Sequence, residues 1–130
     1  SVAANSRVIG PVSIGAGTII EENVVIGPYT SIGEGCIIKN SAKIFSSSIY
    51  NRVVIGRDST ISGSIIDNDT FVGSGCNIEH DTVIGPHVVL KGDVVVHSGT
   101  RLWPEVIVPE GTVVKEHVLN EDYDTRTEGS

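Results

Sequence analysis

The sequence predicts an all-β protein, a parallel β-helix wound from six-residue repeats, and three observations favour this fold class. Aliphatic residues recur at every sixth position through most of the 130 residues. Glycine, asparagine or aspartate recurs three places after many of them, where a chain can turn sharply. Aromatic residues make up only 5% of the chain, so the stiff side chains of Val and Ile must form the core.

The first position of the repeat is aliphatic throughout. With Ile14 as a reference, steps of six reach an aliphatic residue from Val2 onward, and the period slips by one residue after Ile44 and again after Ile61 before it runs on to Val114. No charged residue occupies this position, so its side chains are predicted to face the interior. Each fully buried aliphatic side chain stabilises a fold by roughly 1.5–3 kcal/mol, so stacked aliphatic ladders can replace an aromatic core.

The fifth position of the repeat is small or β-branched and is also predicted to point inward. Both cysteines, Cys36 and Cys76, occupy it, so we expect two buried, unpaired thiols on different faces. At the two slips, the same inward position is assigned to Ser48 and Ile65. The fourth position, rich in Gly, Asn and Asp, forms a tight corner, so successive coils should stack in parallel at a spacing of about 4.8 Å.

Composition excludes several classes of partner. The formal net charge is −7, and the nine basic residues are scattered singly, so no nucleic-acid surface is predicted. No apolar run approaches the roughly 20 residues that span a bilayer, and no signal segment opens the chain, so we expect a soluble, cytoplasmic protein without a membrane partner. The chain contains no Met, even at position 1, so we expect a fragment of a longer protein.

The repeat resembles the hexapeptide-repeat family, whose coils are left-handed triangular prisms with three repeats per turn. The resemblance covers residue 2 to about residue 114 and implies a single-stranded left-handed parallel β-helix of about six coils. The handedness and the triangular section come from the resemblance, whereas the residues themselves show only the period of six. We expect residues 1–114 to form the β-helix and residues 115–130 to form a C-terminal tail or strap.

The histidines indicate where chemistry could take place. At three repeats per coil, Glu79 and His97 should be stacked neighbours on an outer corner that also carries His80 and Asp81, and Asp93 is close in sequence to the same edge. A histidine beside carboxylates is how a general base is oriented near neutral pH. The alternative interpretation is a solvated corner in which Asp81 serves only the turn.

The segment Ile-Glu-His-Asp-Thr at residues 78–82 resembles the catalytic segment of hexapeptide acyltransferases. The resemblance implies that His80 would be the general base, that Glu79 or Asp81 would orient it, and that acetyl-CoA would be the acyl donor to an amino sugar or sugar nucleotide. Two features depart from that family. The coils at residues 106–114 lack the small-residue run that holds the pantetheine arm, and no long loop covers an acceptor.

A metal centre is a further alternative. Hexapeptide carbonic anhydrases bind zinc through three histidines, two of them five residues apart. His80 and His87 are seven residues apart and are predicted to lie on different faces of the prism. No metal site is therefore predicted in this chain.

The segment around the single tryptophan favours another family. Leu102-Trp103-Pro104 followed by Val-Pro-Glu-Gly-Thr-Val-Val, together with the slipping run at residues 47–66, resembles the terminal coils of mannose-1-phosphate guanylyltransferase-like enzymes. In such sugar-1-phosphate nucleotidylyltransferases, an N-terminal Rossmann-like domain carries a Gly-rich nucleotide loop and metal-binding aspartates, where Mg²⁺ would belong. The resemblance implies a C-terminal domain for oligomerisation or regulation, with no cofactor of its own and no catalysis alone.

Self-association is the expected use of a flat prism face. Homo-oligomers dominate soluble assemblies, so a trimer or dimer is predicted. Apolar side chains at the outward sixth position supply the contact area, and they include Val25, Val54, Val89, Val95 and Ile107.

Overall fold

The computed structural model describes residues 1–115 and residue 117, and short β-strands joined by corners make up this part of the chain. The strands are β1 Arg7–Val8, β2 Val12–Ile14, β3 Ile19–Ile20, β4 Val25–Ile26, β5 Thr30–Ile32, β6 Ile37–Ile38, β7 Lys43–Phe45, β8 Ser48–Ile49, β9 Val54–Ile55, β10 Thr60–Ser62, β11 Ile65–Ile66, β12 Phe71–Val72, β13 Asn77–Ile78, β14 Val83–Ile84, β15 Val89–Leu90, β16 Val95–Val96, β17 Arg101–Leu102, β18 Ile107–Val108 and β19 Val113–Val114. Over these residues, the structure has no helix with the length and apolar character needed to cross a membrane. Apart from Lys115 and His117, the tail predicted over residues 115–130 lies outside the described residues.

The strands assemble into three parallel sheets, which form the three faces of the coil. Face 1 has the order β1-β4-β7-β10-β13-β16-β19, face 2 has β2-β5-β8-β11-β14-β17, and face 3 has β3-β6-β9-β12-β15-β18. Each strand pairs with the strand three places along the chain, as Ile78 pairs with Val96. Three repeats therefore make one coil, and the prediction of about six stacked coils is confirmed. The left-handed sense stays a prediction.

The core consists of inward aliphatic ladders. Position-one residues such as Ile26, Ile44, Ile61 and Ile78 are fully buried. Val2 and Val8 occupy the same position of the repeat but are 49% and 42% exposed, because they lie in the first coil. Stacked Val and Ile side chains thus supply the burial that aromatic residues supply in most proteins of this size.

Hydroxyl groups at the fifth position link successive coils. Thr18 Oγ1 donates to the carbonyl of Gly33 at 2.7 Å and accepts from the amide of Cys36 at 3.1 Å. Ser59 makes the same pair of bonds in a later coil. Buried polar groups need such partners, and within the described residues no buried side-chain nitrogen or oxygen lacks one. The inward hydroxyls therefore tie neighbouring corners together from inside.

The two cysteines lie where the repeat placed them. Cys36 precedes β6 on face 3 and Cys76 precedes β13 on face 1, and both are buried and free. Burial raises the pKa of both thiols, so they remain protonated at neutral pH. The prediction of two buried, unpaired cysteines on different faces is confirmed.

The inward assignment at the two slips was wrong. Ser47 and Ser64 are the buried residues there, each 3% exposed, whereas Ser48 is half-buried and Ile65 is 40% exposed. The parallel ladder explains the difference, because β8 and β11 stay in register and keep their side-chain alternation. Each slip therefore shortens the corner between face 1 and face 2 by one residue, and the two shortened corners lie in successive coils.

Candidate functional site

The structure brings the predicted site residues to one corner, where the chain passes from face 1 to face 2. Glu79, His80 and Asp81 follow β13, and His97 follows β16 one coil later. Because β13 and β16 are paired in parallel, the residues that leave them are stacked one above the other. We refer to these four residues as the histidine corner.

The histidine corner contains two separate histidine–carboxylate pairs. His97 Nδ1 lies 3.2 Å from Glu79 Oε1, which also accepts from the amide of Ser98 at 3.0 Å. His80 Nδ1 lies 3.1 Å from Asp81 Oδ2. The side chains of the His97–Glu79 pair are 44% and 35% exposed, against 70% and 80% for the His80–Asp81 pair. The first pair is therefore the better fixed, and the second is the more accessible to a solute.

The orientation of His80 suits a proton acceptor. With its Nδ1 on a carboxylate, the other ring nitrogen is left for solvent or a ligand. The second shortened corner lies directly beneath it, and a Cβ on Gly63 would lie 3.1 Å from the Cβ of His80. Asp81 has a φ of 60°, so the same residue also serves the turn. Both interpretations of Asp81 made from the sequence are thus compatible with its geometry.

Two residues at this corner were missed in the sequence. Arg101 Nη1 donates to the carbonyl of Asp81 at 2.7 Å, and the Arg101 amide donates to Nδ1 of His117 at 3.0 Å. The spacing of the coils could have indicated His117. One coil is 18 residues long, which is the separation between Glu79 and His97, and a step of 18 residues from Gly99 reaches His117. His117 lies beyond Val114, the last aliphatic position of the repeat, so the hexapeptide pattern alone does not include it. A third histidine, His117, therefore lies beside the histidine corner.

Asp93 and His87 lie at other corners of the prism. The expectation that Asp93 lies near the same edge was wrong, because Asp93 precedes β16 at the corner between faces 3 and 1, whereas His97 follows that strand. His87 lies at the corner between faces 2 and 3, as expected, and its Nε2 is 3.7 Å from Asp69 Oδ2. Among residues 1–115 and 117, no group of three or more His, Cys, Asp and Glu side chains could hold a metal ion.

An open apolar hollow of about 580 Å³ lies on face 2 beside the histidine corner. Trp103 points outward into it and is 53% exposed, in agreement with its place in the repeat. The residues that shape the hollow include Pro86, Arg101, Leu102, Trp103, Pro104 and His117. A flat or apolar group could pack there, with the Arg101 guanidinium and the His117 ring as the polar groups at hand.

Six-residue repeats, three parallel sheets and inward aliphatic ladders define a hexapeptide-repeat parallel β-helix. The chain belongs to the GMPPB C-terminal domain family, whose model matches residues 8–123. This membership agrees with the resemblance that the segments around Trp103 and Ile49 indicated. The interpretation of the chain as a C-terminal domain of the sugar-1-phosphate nucleotidylyltransferase kind is confirmed at the level of the family.

Curated relatives match only part of this chain. The bifunctional protein GlmU of Lactobacillus johnsonii is 45% identical over 62 residues, which are 48% of this chain and 13% of the relative. Glucose-1-phosphate thymidylyltransferase of Streptomyces griseus is 42% identical over 59 residues, which are 45% of this chain and 14% of the relative. The matched stretch thus spans a small part of each of these longer relatives.

Solved structures share the fold. A mutant of perosamine N-acetyltransferase from Caulobacter crescentus, in complex with CoA and GDP-perosamine, superposes with a TM-score of 0.62 at 21% identity, over 82% of this chain and 50% of that one. LpxA from Acinetobacter baumannii gives a TM-score of 0.52 at 16% identity, over 88% of this chain and 64% of that one. At these identities the likeness establishes the β-helix and nothing more specific.

Proposed function

We propose that this chain is the C-terminal β-helix domain of a sugar-1-phosphate nucleotidylyltransferase and that it serves the assembly or regulation of the enzyme. The observation that carries the proposal is the family match over residues 8–123. The match to a glucose-1-phosphate thymidylyltransferase supports the same class of reaction. Residues 1–114 would be the β-helix of this domain, and residues 115–130 would be its tail or strap.

The chemistry of nucleotidyl transfer belongs, in this proposal, to an N-terminal domain. A phosphate oxygen of the sugar-1-phosphate attacks the α-phosphorus of a nucleoside triphosphate, and pyrophosphate leaves. Such a reaction needs a backbone cradle for phosphates and carboxylates that hold Mg²⁺. At the histidine corner, each carboxylate is instead paired with a histidine, as Glu79 is with His97. The β-helix would therefore act on the reaction through assembly and not through contact with the phosphates.

We expect the full-length protein to form a nucleotide sugar and pyrophosphate from a nucleoside triphosphate, a sugar-1-phosphate and Mg²⁺. The 130-residue chain by itself should release no pyrophosphate under the same conditions. A coupled pyrophosphate assay across the common nucleotides and hexose-1-phosphates measures both. Turnover by the isolated chain, or none by the full-length protein with any pair, would contradict the proposal.

A second candidate function is an acyltransfer reaction, and the His80–Asp81 contact at 3.1 Å favours it. His80 would remove a proton from an acceptor amine or hydroxyl, whose nitrogen or oxygen then attacks the acetyl-CoA thioester and releases CoA. Asp81 would orient the base, whereas Glu79, the alternative orienter expected from the sequence, contacts His97 one coil above. The acyl donor would have to be held beside the corner, because proximity supplies several kcal/mol of such a barrier.

For this second function, we expect the isolated chain to show little or no acetyl transfer from acetyl-CoA to amino-sugar phosphates or sugar nucleotides. The coils above the corner lack the small residues that would admit a pantetheine arm. Release of CoA is measured with wild-type chain, with His80→Ala, and with His87→Ala as the matched control at a different corner. Turnover on the order of one per second that is lost in His80→Ala and kept in His87→Ala would make the acyltransferase the leading function.

A further inference from the structure

Face 3 differs from the other two faces in its outward side chains. Each of its strands begins with a residue that points away from the core, and in all six coils this residue is apolar. The six are Ile19, Ile37, Val54, Phe71, Val89 and Ile107, and each lies directly beside the next in the ladder. On face 1 the same column contains Arg7 and Lys43, and on face 2 it contains Ser31 and Arg101. Only face 3 has an unbroken apolar column.

The middle of face 3 is also flat. The second outward column of this face has no side chain in the two central coils, where it holds Gly56 and Gly73. Val54 and Phe71 therefore stand alone on those coils, with Phe71 41% exposed. Soluble proteins seldom leave a contiguous apolar surface of this kind uncovered unless it is used for contact.

A charged pair lies on the edge of face 3 at the same two coils. Arg52 Nε donates to Asp69 Oδ1 at 2.7 Å, and Arg52 Nη2 donates to Asp69 Oδ2 at 3.2 Å. The hydrogen bond from Arg52 holds the pKa of Asp69 below its usual range, so the carboxylate is ionised at neutral pH. The edge thus shows one positive and one negative charge, one coil apart, beside the centre of the apolar column.

We propose that face 3 is a self-association surface that packs against face 3 of a second copy, with the two coils antiparallel and a two-fold axis between Val54 and Phe71. In this arrangement, Val54 of one copy lies opposite the partner's Phe71, and the outer rungs meet as Ile19 with the partner's Ile107. Two identical faces related by a two-fold axis form the isologous contact typical of dimers. The proposal rests on the assembly role proposed above and names its surface.

Charge complementarity selects the antiparallel arrangement. It places Arg52 of each copy opposite the partner's Asp69, so two intramolecular pairs become one cluster of four alternating charges. A parallel two-fold arrangement would instead place Arg52 opposite the partner's Arg57 and Glu105 opposite the partner's Glu110. Along the opposite edge of face 3, the charges are not complementary in the antiparallel arrangement, because Lys39 lies opposite the partner's Lys91. Contact should therefore be closest along the Arg52–Asp69 edge.

The first test uses two outward residues of equal exposure on different faces. Phe71 is 41% exposed on face 3, and Ile65 is 40% exposed on face 2 in the same coil. Sedimentation velocity over a concentration series should show that Phe71→Glu weakens association by at least about tenfold, because it places charges at the two-fold axis. Ile65→Glu should associate as the wild type does. Circular dichroism of both variants checks that each is folded.

The second test asks whether the Arg52–Asp69 edge of one copy lies against the same edge of an antiparallel second copy. Arg52→Asp and Asp69→Arg each lose the internal ion pair, and each should repel its own kind in the antiparallel dimer. An equimolar mixture of the two variants should restore a dimer, because both carboxylates on the edge of the first variant then meet the two guanidinium groups on the edge of the second. Loss of the internal pair is the same alone and in the mixture, so only the intermolecular contact explains recovery.

The outcomes distinguish the surface from the assembly role. Loss of association in Ile65→Glu but not in Phe71→Glu would place the contact on another face, overturning this proposal while leaving an assembly domain. Association of either charge variant alone, or no recovery in the mixture, would overturn the antiparallel arrangement. A wild-type chain and full-length protein that are both monomeric at every concentration would overturn the surface and the assembly role together.

Discussion

Replacement of Ile66 by alanine should lower the free energy of unfolding by about 2–5 kcal/mol, whereas Ile65→Ala should lower it by about 1 kcal/mol or less. The two residues are neighbours in β11, but Ile66 is fully buried and Ile65 is 40% exposed. Ile66 is stacked between Ile49 and Ile84 of the adjacent coils. Its truncation therefore removes buried methyl groups and leaves a cavity that the stacked coils cannot close.

Urea unfolding followed by circular dichroism measures both changes, with the wild-type slope as the check that unfolding stays cooperative. Coil stacks can lose cooperativity, so the slopes of all three proteins must agree before free energies are compared. Equal losses in the two variants would mean that β11 is not in the register described. A one-residue shift would exchange the inward and outward side chains of the whole strand.

The sequence was sufficient for most of the fold because each coil repeats one local rule. An inward aliphatic residue, a corner and an inward small residue suffice to specify strand, turn and stacking. The two slips show the limit of the rule. A five-residue repeat shows that one residue is missing but not which position of the repeat it is missing from. Because Ser47 and Ser48 are chemically the same, residue type does not show which of them points inward. Pairing with the coils above and below decides the place, and that pairing spreads over many residues.

The histidine corner could be predicted only in part. The stacking of Glu79 and His97 followed from the number of repeats in a coil, which came from the family resemblance. The division into two histidine–carboxylate pairs depends on side-chain directions at a corner, which the period does not specify. Arg101 was missed for the same reason, because its guanidinium reaches back to the carbonyl of Asp81 across the corner.

The outward residues show a similar limit. Val25, Val95, Val54, Val89 and Ile107 were all expected to face outward, without separation by face. The structure places the first two on face 1 and the other three on face 3. The apolar column of face 3 becomes visible only when every third repeat is grouped. A contact surface depends on which residues are neighbours in space and not on the number of apolar residues.

Replacement of Gly56 by alanine should destabilise the β-helix by about 1–3 kcal/mol, although alanine is small and apolar. A Cβ at Gly56 would lie 2.4 Å from the carbonyl carbon of Gly73 and 2.6 Å from the amide nitrogen of Ser74. Both contacts are with backbone, so one coil must move away from the next to admit the methyl group. The strands that pair there, β9 and β12, would be forced apart at the centre of face 3.

Lys91→Ala is the matched control, because Lys91 occupies the same outward column of face 3 two coils beyond Gly56 and already carries a Cβ. Its truncation should change the free energy of unfolding by no more than about 0.5 kcal/mol, as at most exposed positions. Thermal and urea unfolding of the two variants give the comparison. If Gly56→Ala proved as stable as Lys91→Ala, the coils would have room between them at Gly56, and the close approach of backbones at the centre of face 3 would be wrong.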